Sequence, residues 1–183
     1  MITLELSDKV NELEQIVALQ RLNRLDAVTA DVRATEGFVT MEYTVRELQL
    51  MRGEYRHVVA KCDGAVIAYA LVMLKDCRAS FPFLDTMFRD AETAVFKGMQ
   101  LREKSYFFMG QICVGQAFRG QGIFRKLYQT LCMQMRADFD CVVTEVSVHN
   151  ARSMRAHQRV GFKEIVNEHA DATEWRVIVW DWS

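Results

Sequence analysis

A chain of 183 residues can bury one good hydrophobic core and is short for two, so a single domain spanning residues 1–183 is expected. Half of it is apolar and 26% charged, an ordinary globular balance, and a net charge of −1 without a long basic run argues against a nucleic-acid partner. The amino terminus lacks the apolar stretch of a signal peptide and no apolar run approaches the ~18 residues of a membrane span, which predicts a cytoplasmic protein without membrane association.

Leu4 to about Ala34 carries apolar residues at helical spacing, with neither proline nor glycine. A second helix is predicted from Thr44 to Met51, closed by Gly53. His57–Cys62, Asp63-Gly64 and Ala65–Leu74 read as a β-hairpin about an Asp-Gly turn, and the second arm is apolar enough for a strand buried on both faces. Residues 75 to about 104 hold the only proline, Pro82, and a helix-like span through Phe96; this excursion could shape a pocket or be a packing appendage. A strand from Tyr106 to Val114 leads into Arg119-Gly120-Gln121-Gly122-Ile123-Phe124, which opens an amphipathic helix with Ile123, Leu127 and Leu131 on one face. Asp140–Val148 is the next strand, Ala151–Val160 a short helix ending at Gly161, and Phe162–Glu168 and Thr173–Asp181 the last strands. Antiparallel arms mixed with crossover helices predict an α/β or α+β fold with a mixed, mostly antiparallel central sheet flanked by helices. Trp175, Trp180 and Trp182 read as packing residues.

The glycine turn between strand and helix is the most informative junction. Its backbone amides, backed by the positive end of a helix dipole, would seat a phosphate, although many such turns are only tight turns. A nucleotide-binding reading is weaker, because the turn lacks the lysine of a Gly-Lys-Ser/Thr loop and the further glycine of a dinucleotide fingerprint.

Val114 to Arg125, taken with Glu145-Val-Ser-Val-His-Asn150, His157 and Gly161-Phe162, resembles the GNAT superfamily of acyl-CoA-dependent N-acyltransferases. The resemblance implies that the turn formed by Arg119, Gly120, Gln121, Gly122, Ile123, Phe124 and Arg125 binds the pyrophosphate of acetyl-CoA, with the backbone amides of Gly120 to Arg125 holding it. It implies that Ile112, Cys113 and Val114 hold the pantetheine arm and that Asn150 contacts it. The sequence departs from the family pattern twice: Phe124 stands where glycine or alanine is usual, and His157 where relatives carry a tyrosine that protonates the leaving thiolate. The first departure bears on the pose of the pyrophosphate, the second on the identity of the proton donor.

Acyl transfer needs a neutral amine, yet an alkyl amine of pKa near ~10.4 is protonated at pH 7, so a base is required. Glu145, in a strand between Val143 and Val146, is the favoured carboxylate; its other reading is a structural ion pair or hydrogen bond. Ribosomal-protein N-terminal acetyltransferases share the Glu-Val-x-x-x-Asn arrangement, and the resemblance carries their base role to Glu145. Fourth-strand positions where many relatives place an acid hold Met109, Gly110 and Gln111, leaving Glu145 or a carboxylate on the excursion, such as Glu103. His157 reads either as the thiolate's proton donor or as a helix-surface histidine. Cys113 is more plausible as a small buried hydrophobe than as a nucleophile, and the resemblance implies direct transfer. The five cysteines, odd in number and without a Cys-x-x-Cys pair, read as free thiols. No His/Cys/carboxylate spacing suggests a metal. The expectation is an N-acetyltransferase moving an acetyl group from acetyl-CoA to a primary amine of unspecified identity, on a small molecule or a protein, with a homodimer as one assembly open to it. The alternative is a non-catalytic acyl-CoA-binding regulatory domain.

Overall fold

The structure, a computed structural model, describes residues 1–7, 9–27, 38–165 and 175–182. Its strands are β1 (Ile2–Leu6), β2 (Val58–Cys62), β3 (Ala65–Met73), β4 (Val95–Phe96), β5 (Met99–Gln100), β6 (Tyr106–Val114), β7 (Cys141–Ser147), β8 (Lys163–Glu164) and β9 (Trp175–Asp181). Its helices are α1 (Val10–Asn23), α2 (Val45–Arg52), α3 (Asp85–Thr93), α4 (Ile123–Met135) and α5 (Ala151–Val160). Seven strands form one sheet in the order β1-β2-β3-β6-β7-β9-β8, and β4 with β5 makes a separate two-residue hairpin. Every neighbouring pair in the large sheet is antiparallel except β6 with β7. A mixed, mostly antiparallel sheet flanked by helices is the expected class.

Helices cover both faces of the sheet. β3 shows why: Tyr69, Leu71 and Met73 enter one core with Ile16 of α1 and Leu48 of α2. Ala68, Ala70 and Val72 enter another with Leu127 and Leu131 of α4. A strand buried on both faces has no use for polar residues, which explains its unbroken apolar run. Local signals set the helix ends. Thr44 and Glu47 form a reciprocal capping box at the start of α2, and Gly161 at φ +125° follows α5. No helix among the described residues is long and apolar enough to cross a membrane.

Three sequence expectations need correction. The first apolar stretch is not one helix. Ile2–Leu6 pairs with β2 as an edge strand, with Ile2 opposite Cys62 and Leu6 opposite Val58, and α1 starts only at Val10. Residues 28–34 of that prediction lie outside the described residues. In the excursion, helix α3 stops at Thr93, and Phe96 belongs to the β4–β5 hairpin. Of the strand expected over Phe162–Glu168, Lys163 and Glu164 pair with Val179 and Ile178, and the Ile165 amide donates to the Val177 carbonyl at 3.0 Å; residues 166–168 are outside the described set, as is the start of the strand expected from Thr173.

Candidate active site

The site begins where two strands part. β6 and β7 pair in parallel only at Tyr106–Cys141, Phe107–Val142 and Phe108–Val143. Beyond that point one further link, from Thr144 Oγ1 to the Met109 carbonyl at 3.1 Å, holds them together. β6 also carries a bulge: Leu71 pairs with Gln111 and Val72 with Met109, which leaves Gly110 without a partner opposite it. A bulge twists its strand and re-aims the residues beyond it, and here it coincides with the divergence. Two cavities meet in the gap, of about 420 Å³ and about 430 Å³, with Ile112, Asn150 and Ser153 on the walls of both.

The glycine turn lies in the second cavity. Gly120 and Gly122 sit at φ +78° and +75°, a left-handed conformation that glycine adopts without a Cβ penalty. Gly122 is the residue that starts α4, so the first-turn amides of Ile123, Phe124 and Arg125, which have no intrahelical acceptor, are presented to the cavity. Cys113, Val114, Arg119, Gly120 and Gly122 also line it. Gln121 does not; its side-chain amide donates back to the Ala117 carbonyl at 3.4 Å. The Arg119 guanidinium donates to the Val114 carbonyl at 3.0 Å and to Asn23 Oδ1 at 2.7 Å, so it ties the turn to the end of α1. Arg152, Arg155 and Arg159 of α5 complete the wall at helical spacing.

The first cavity is mostly apolar and contains the carboxylate favoured from sequence. Glu145 faces it without a hydrogen-bonding partner among the described residues, and burial, with Asp90 nearby, raises its pKa to about 7. Asp90 comes from α3, so the excursion does supply an acid to this cavity, and it is Asp90; Glu103 sits in a short turn elsewhere. Trp175 also lines this cavity while remaining 38% exposed, unlike Trp180 and Trp182, which meet edge to face and pack partly buried against the core.

Asn150 sits where the cavities join. Its Oδ1 accepts from the Ser153 amide at 3.1 Å, capping α5, and its Nδ2 donates to the Phe38 carbonyl at 3.1 Å. A strap of residues 38–43 is thereby pinned across the junction, aided by Gln111 Nε2 donating to the Met41 carbonyl at 2.8 Å. His157 is 3% exposed. Its Nδ1–H donates to the Ser153 carbonyl at 2.8 Å, and its Nε2 accepts from the Tyr128 hydroxyl at 2.8 Å. The carbonyl can only accept, which assigns the tautomer, and burial lowers the ring's pKa to about 4. It is therefore a buried neutral imidazole with both nitrogens engaged, not a surface histidine. Ser153 Oγ lies 3.3 Å from the same Nδ1. Burial pushes the Cys113 thiol up to about 12, which disfavours a thiolate nucleophile.

The sequence model of the GNAT acetyltransferase family matches residues 19–162. The chain belongs to the GNAT acetyltransferases. As a member it is an acyl-CoA-dependent N-acetyltransferase, and its resemblance to known proteins lends no support to a non-catalytic acyl-CoA-binding domain. No curated protein sequence matches the chain. Solved structures share the GNAT fold over nearly the whole chain at low identity. An acetyltransferase of the family from Staphylococcus aureus superposes with a TM-score of 0.65 at 9% identity, covering 99% of each chain. NAA60 from Arabidopsis thaliana, crystallised with acetyl-CoA, gives 0.62 at 13% identity and covers 100% of each. The ribosomal-protein-S18-alanine N-acetyltransferase of Escherichia coli gives 0.60 at 14%, covering 98% of this chain and 91% of its own.

In this GNAT chain, sequence reasoning overlooked Asp90, Ser153 and the three arginines of α5. The Arg-x-x-Arg-x-x-x-Arg spacing from residue 152 was a readable helical stripe. Nothing in the sequence connects Asp90 with Glu145, which lies 55 positions away across the fold.

Proposed function

We propose that the chain transfers the acetyl group of acetyl-CoA directly to a primary amine, with Glu145 as the base, the whole chain acting as one catalytic domain. The observation that carries this reading is a half-buried carboxylate, without a hydrogen-bonding partner among the described residues, on a cavity that opens, at the parting of β6 and β7, into a second cavity walled by a glycine turn and arginines. The pyrophosphate would lie against the amides of Gly120 to Arg125, with the α5 arginines offsetting its charge. The pantetheine arm would then run along β6 from Val114 towards Ile112, where the strand lacks a ladder partner on the β7 side. Asn150 would act on this arm chiefly by holding the strap and the start of α5.

The amine arrives as an ammonium and gives one proton to ionised Glu145. Its lone pair then attacks the thioester carbonyl carbon. As the tetrahedral centre collapses, the C–N bond remains, the C–S bond breaks, and its electron pair leaves on sulfur. The second proton of the former ammonium passes from nitrogen to the thiolate, so products are the amide, CoA thiol and the proton held by Glu145, which returns to solvent. Ser153, whose hydroxyl lies at the junction, relays that second proton, and His157 positions it.

The test is CoA-thiol release from acetyl-CoA in the presence of primary amines, compared between the wild type and Glu145→Gln. The variant keeps the shape and loses the base, so kcat should fall ~10²-fold at pH 7 with acetyl-CoA affinity little changed. Full activity in the folded variant would remove Glu145 from the role.

A further inference from the structure

The strap of residues 38–43 is anchored at both ends and in the middle. At one end Asn150 Nδ2 donates to the Phe38 carbonyl, and the Val39 amide donates to the Asn23 carbonyl at 3.0 Å. At the other end the Tyr43 amide donates to Gln20 Oε1 at 2.7 Å. The middle depends on Gln111, whose Nε2 donates to the Met41 carbonyl at 2.8 Å. These anchors divide between the two cavities. Phe38 and Val39, at the first, line both, whereas Thr40 and Met41, at the middle one, line the cavity of Glu145 and not the other.

A side-chain amide has nearly the same shape at its oxygen and its nitrogen, so its neighbours decide which way it faces. The Met41 carbonyl can only accept, which directs Nε2 to it and turns Oε1 away. There the Tyr69 hydroxyl lies at 2.6 Å and donates its one proton. Tyr69 stands on β3 opposite Cys113, and Gln111 is two residues before Cys113 on β6, so the two side chains are diagonal neighbours on one face of the sheet. Tyr69 is fully buried. Its ring would fill the core equally well without the oxygen, and a buried hydroxyl lowers stability unless it finds a partner. Here the partner belongs to the wall of a cavity: Gln111 is half-buried and lines the cavity of Glu145.

We infer that Tyr69 is a positioning residue for the acceptor amine: it fixes the Gln111 amide, which in turn holds Met41 and the middle of the strap as a preformed wall of the acceptor cavity. This rests on the acetyl-transfer reading above and adds a residue to the same site. Without the hydroxyl, Gln111 Oε1 loses its donor and the side chain is released to other rotamers. The acceptor must then order the wall as it binds, which weakens binding and leaves the bound geometry nearly as before. The anchors at Phe38 and Val39 stay in place, so acetyl-CoA binding is untouched.

CoA-thiol release is measured with the wild type and 2-phenylethylamine, spermidine, lysine, glucosamine and a hexapeptide beginning with alanine; the fastest of these is then used with each variant. Tyr69→Phe should raise KM for that amine about fivefold or more while kcat changes less than about twofold. The acetyl-CoA dissociation constant from calorimetry should not change. Gln111→Met, which keeps the length and loses both hydrogen bonds, should raise KM at least as much. Adding Tyr69→Phe to it should raise KM no further, because the hydroxyl then has nothing to orient.

An unchanged KM in Tyr69→Phe, a loss confined to kcat, or a double variant whose KM rises by the product of the single effects would each overturn the inference and leave acetyl transfer intact. A parallel loss of acetyl-CoA affinity would mean a general loosening of the fold and would overturn it too. Circular dichroism checks that each variant folds. Should Tyr69→Phe not fold, Gln111→Met decides: a raised KM supports the middle anchor and a normal one overturns it. Acetyl-CoA binding by the wild type with no transfer to any of the five amines would instead defeat the acetyl-transfer reading, and this inference with it.

Discussion

The two residues at which this chain departs from its family's pattern touch one another. Phe124 and His157 meet edge to face, with ring centroids 5.1 Å apart, and both contact Tyr128. A bulky residue at the last position of the turn and an imidazole on α5 are thus parts of one aromatic cluster, in which Tyr128 donates to His157 and His157 donates to the Ser153 carbonyl. With both nitrogens committed, the imidazole has no proton to give the thiolate directly, which is why Ser153 is proposed as the relay. Ser153→Ala and His157→Phe should each lower kcat by ~10-fold or more, and the double variant should lose no more than the worse single one, because coupled residues are not additive. Multiplied losses in single-turnover transfer would show two independent roles. The pH profile separates the same groups. Glu145 must be ionised to accept a proton, so kcat should rise through about pH 7. His157, neutral down to about pH 4, should add no inflection between pH 6 and 8.

Among the elements, the strand–turn–helix of β6 and α4 is where sequence and geometry agree most closely. Gly122→Val would place a β-branched residue at φ +75°, strained by ~1–2 kcal/mol, and would set a side chain where the backbone faces the cavity. Acetyl-CoA affinity measured by calorimetry should weaken tenfold or more while circular dichroism shows a folded chain; unchanged affinity would move the phosphate away from this turn. α4 and α5 were readable because each declares itself twice, by the spacing of its apolar residues and by a glycine at one end. β1 was not, since Ile2, Leu4 and Leu6 alternate for only five residues before α1, and a short strand beside a long helix adopts its neighbour's periodicity in any sequence window. The same limit applies to the site. Glu145, Asn150 and the turn lie within local patterns, whereas the Arg119–Asn23 hydrogen bond joins residues 96 positions apart and ties the turn to the end of α1. Asp90 needed the fold of the excursion to bring it near Glu145.

At the scale of the whole molecule, two buried histidines and the half-buried Glu145 set an acid response with opposing signs. His57 and His157 are both lowered to about 4, so between roughly pH 4 and 6.5 the unfolded chain binds more protons and stability falls on acidification. Glu145, raised to about 7, binds its proton more tightly in the folded chain between pH 4.5 and 7, and so favours folding as pH falls. Near pH 5.5 the two histidines outweigh the one glutamate by about one proton, equivalent to a slope of roughly 1 kcal/mol per pH unit from these groups. Glu145→Gln removes the opposing contribution and should roughly double that slope in urea titrations across pH 5 to 6; an unaltered slope would mean that Glu145 titrates near its ordinary value. The parting of β6 and β7 has a consequence of another kind. Past Met109, β6 is bonded to β3 along one edge only. Successive amides of a strand point to opposite edges, so those turned towards β3 are locked in a ladder while those turned towards β7 are held by no strand. Amide hydrogen exchange should therefore divide this strand residue by residue, slow and fast in alternation from Gln111 to Val114, and acetyl-CoA laid in the gap should slow the fast set alone, as though the ligand were an eighth strand of the sheet.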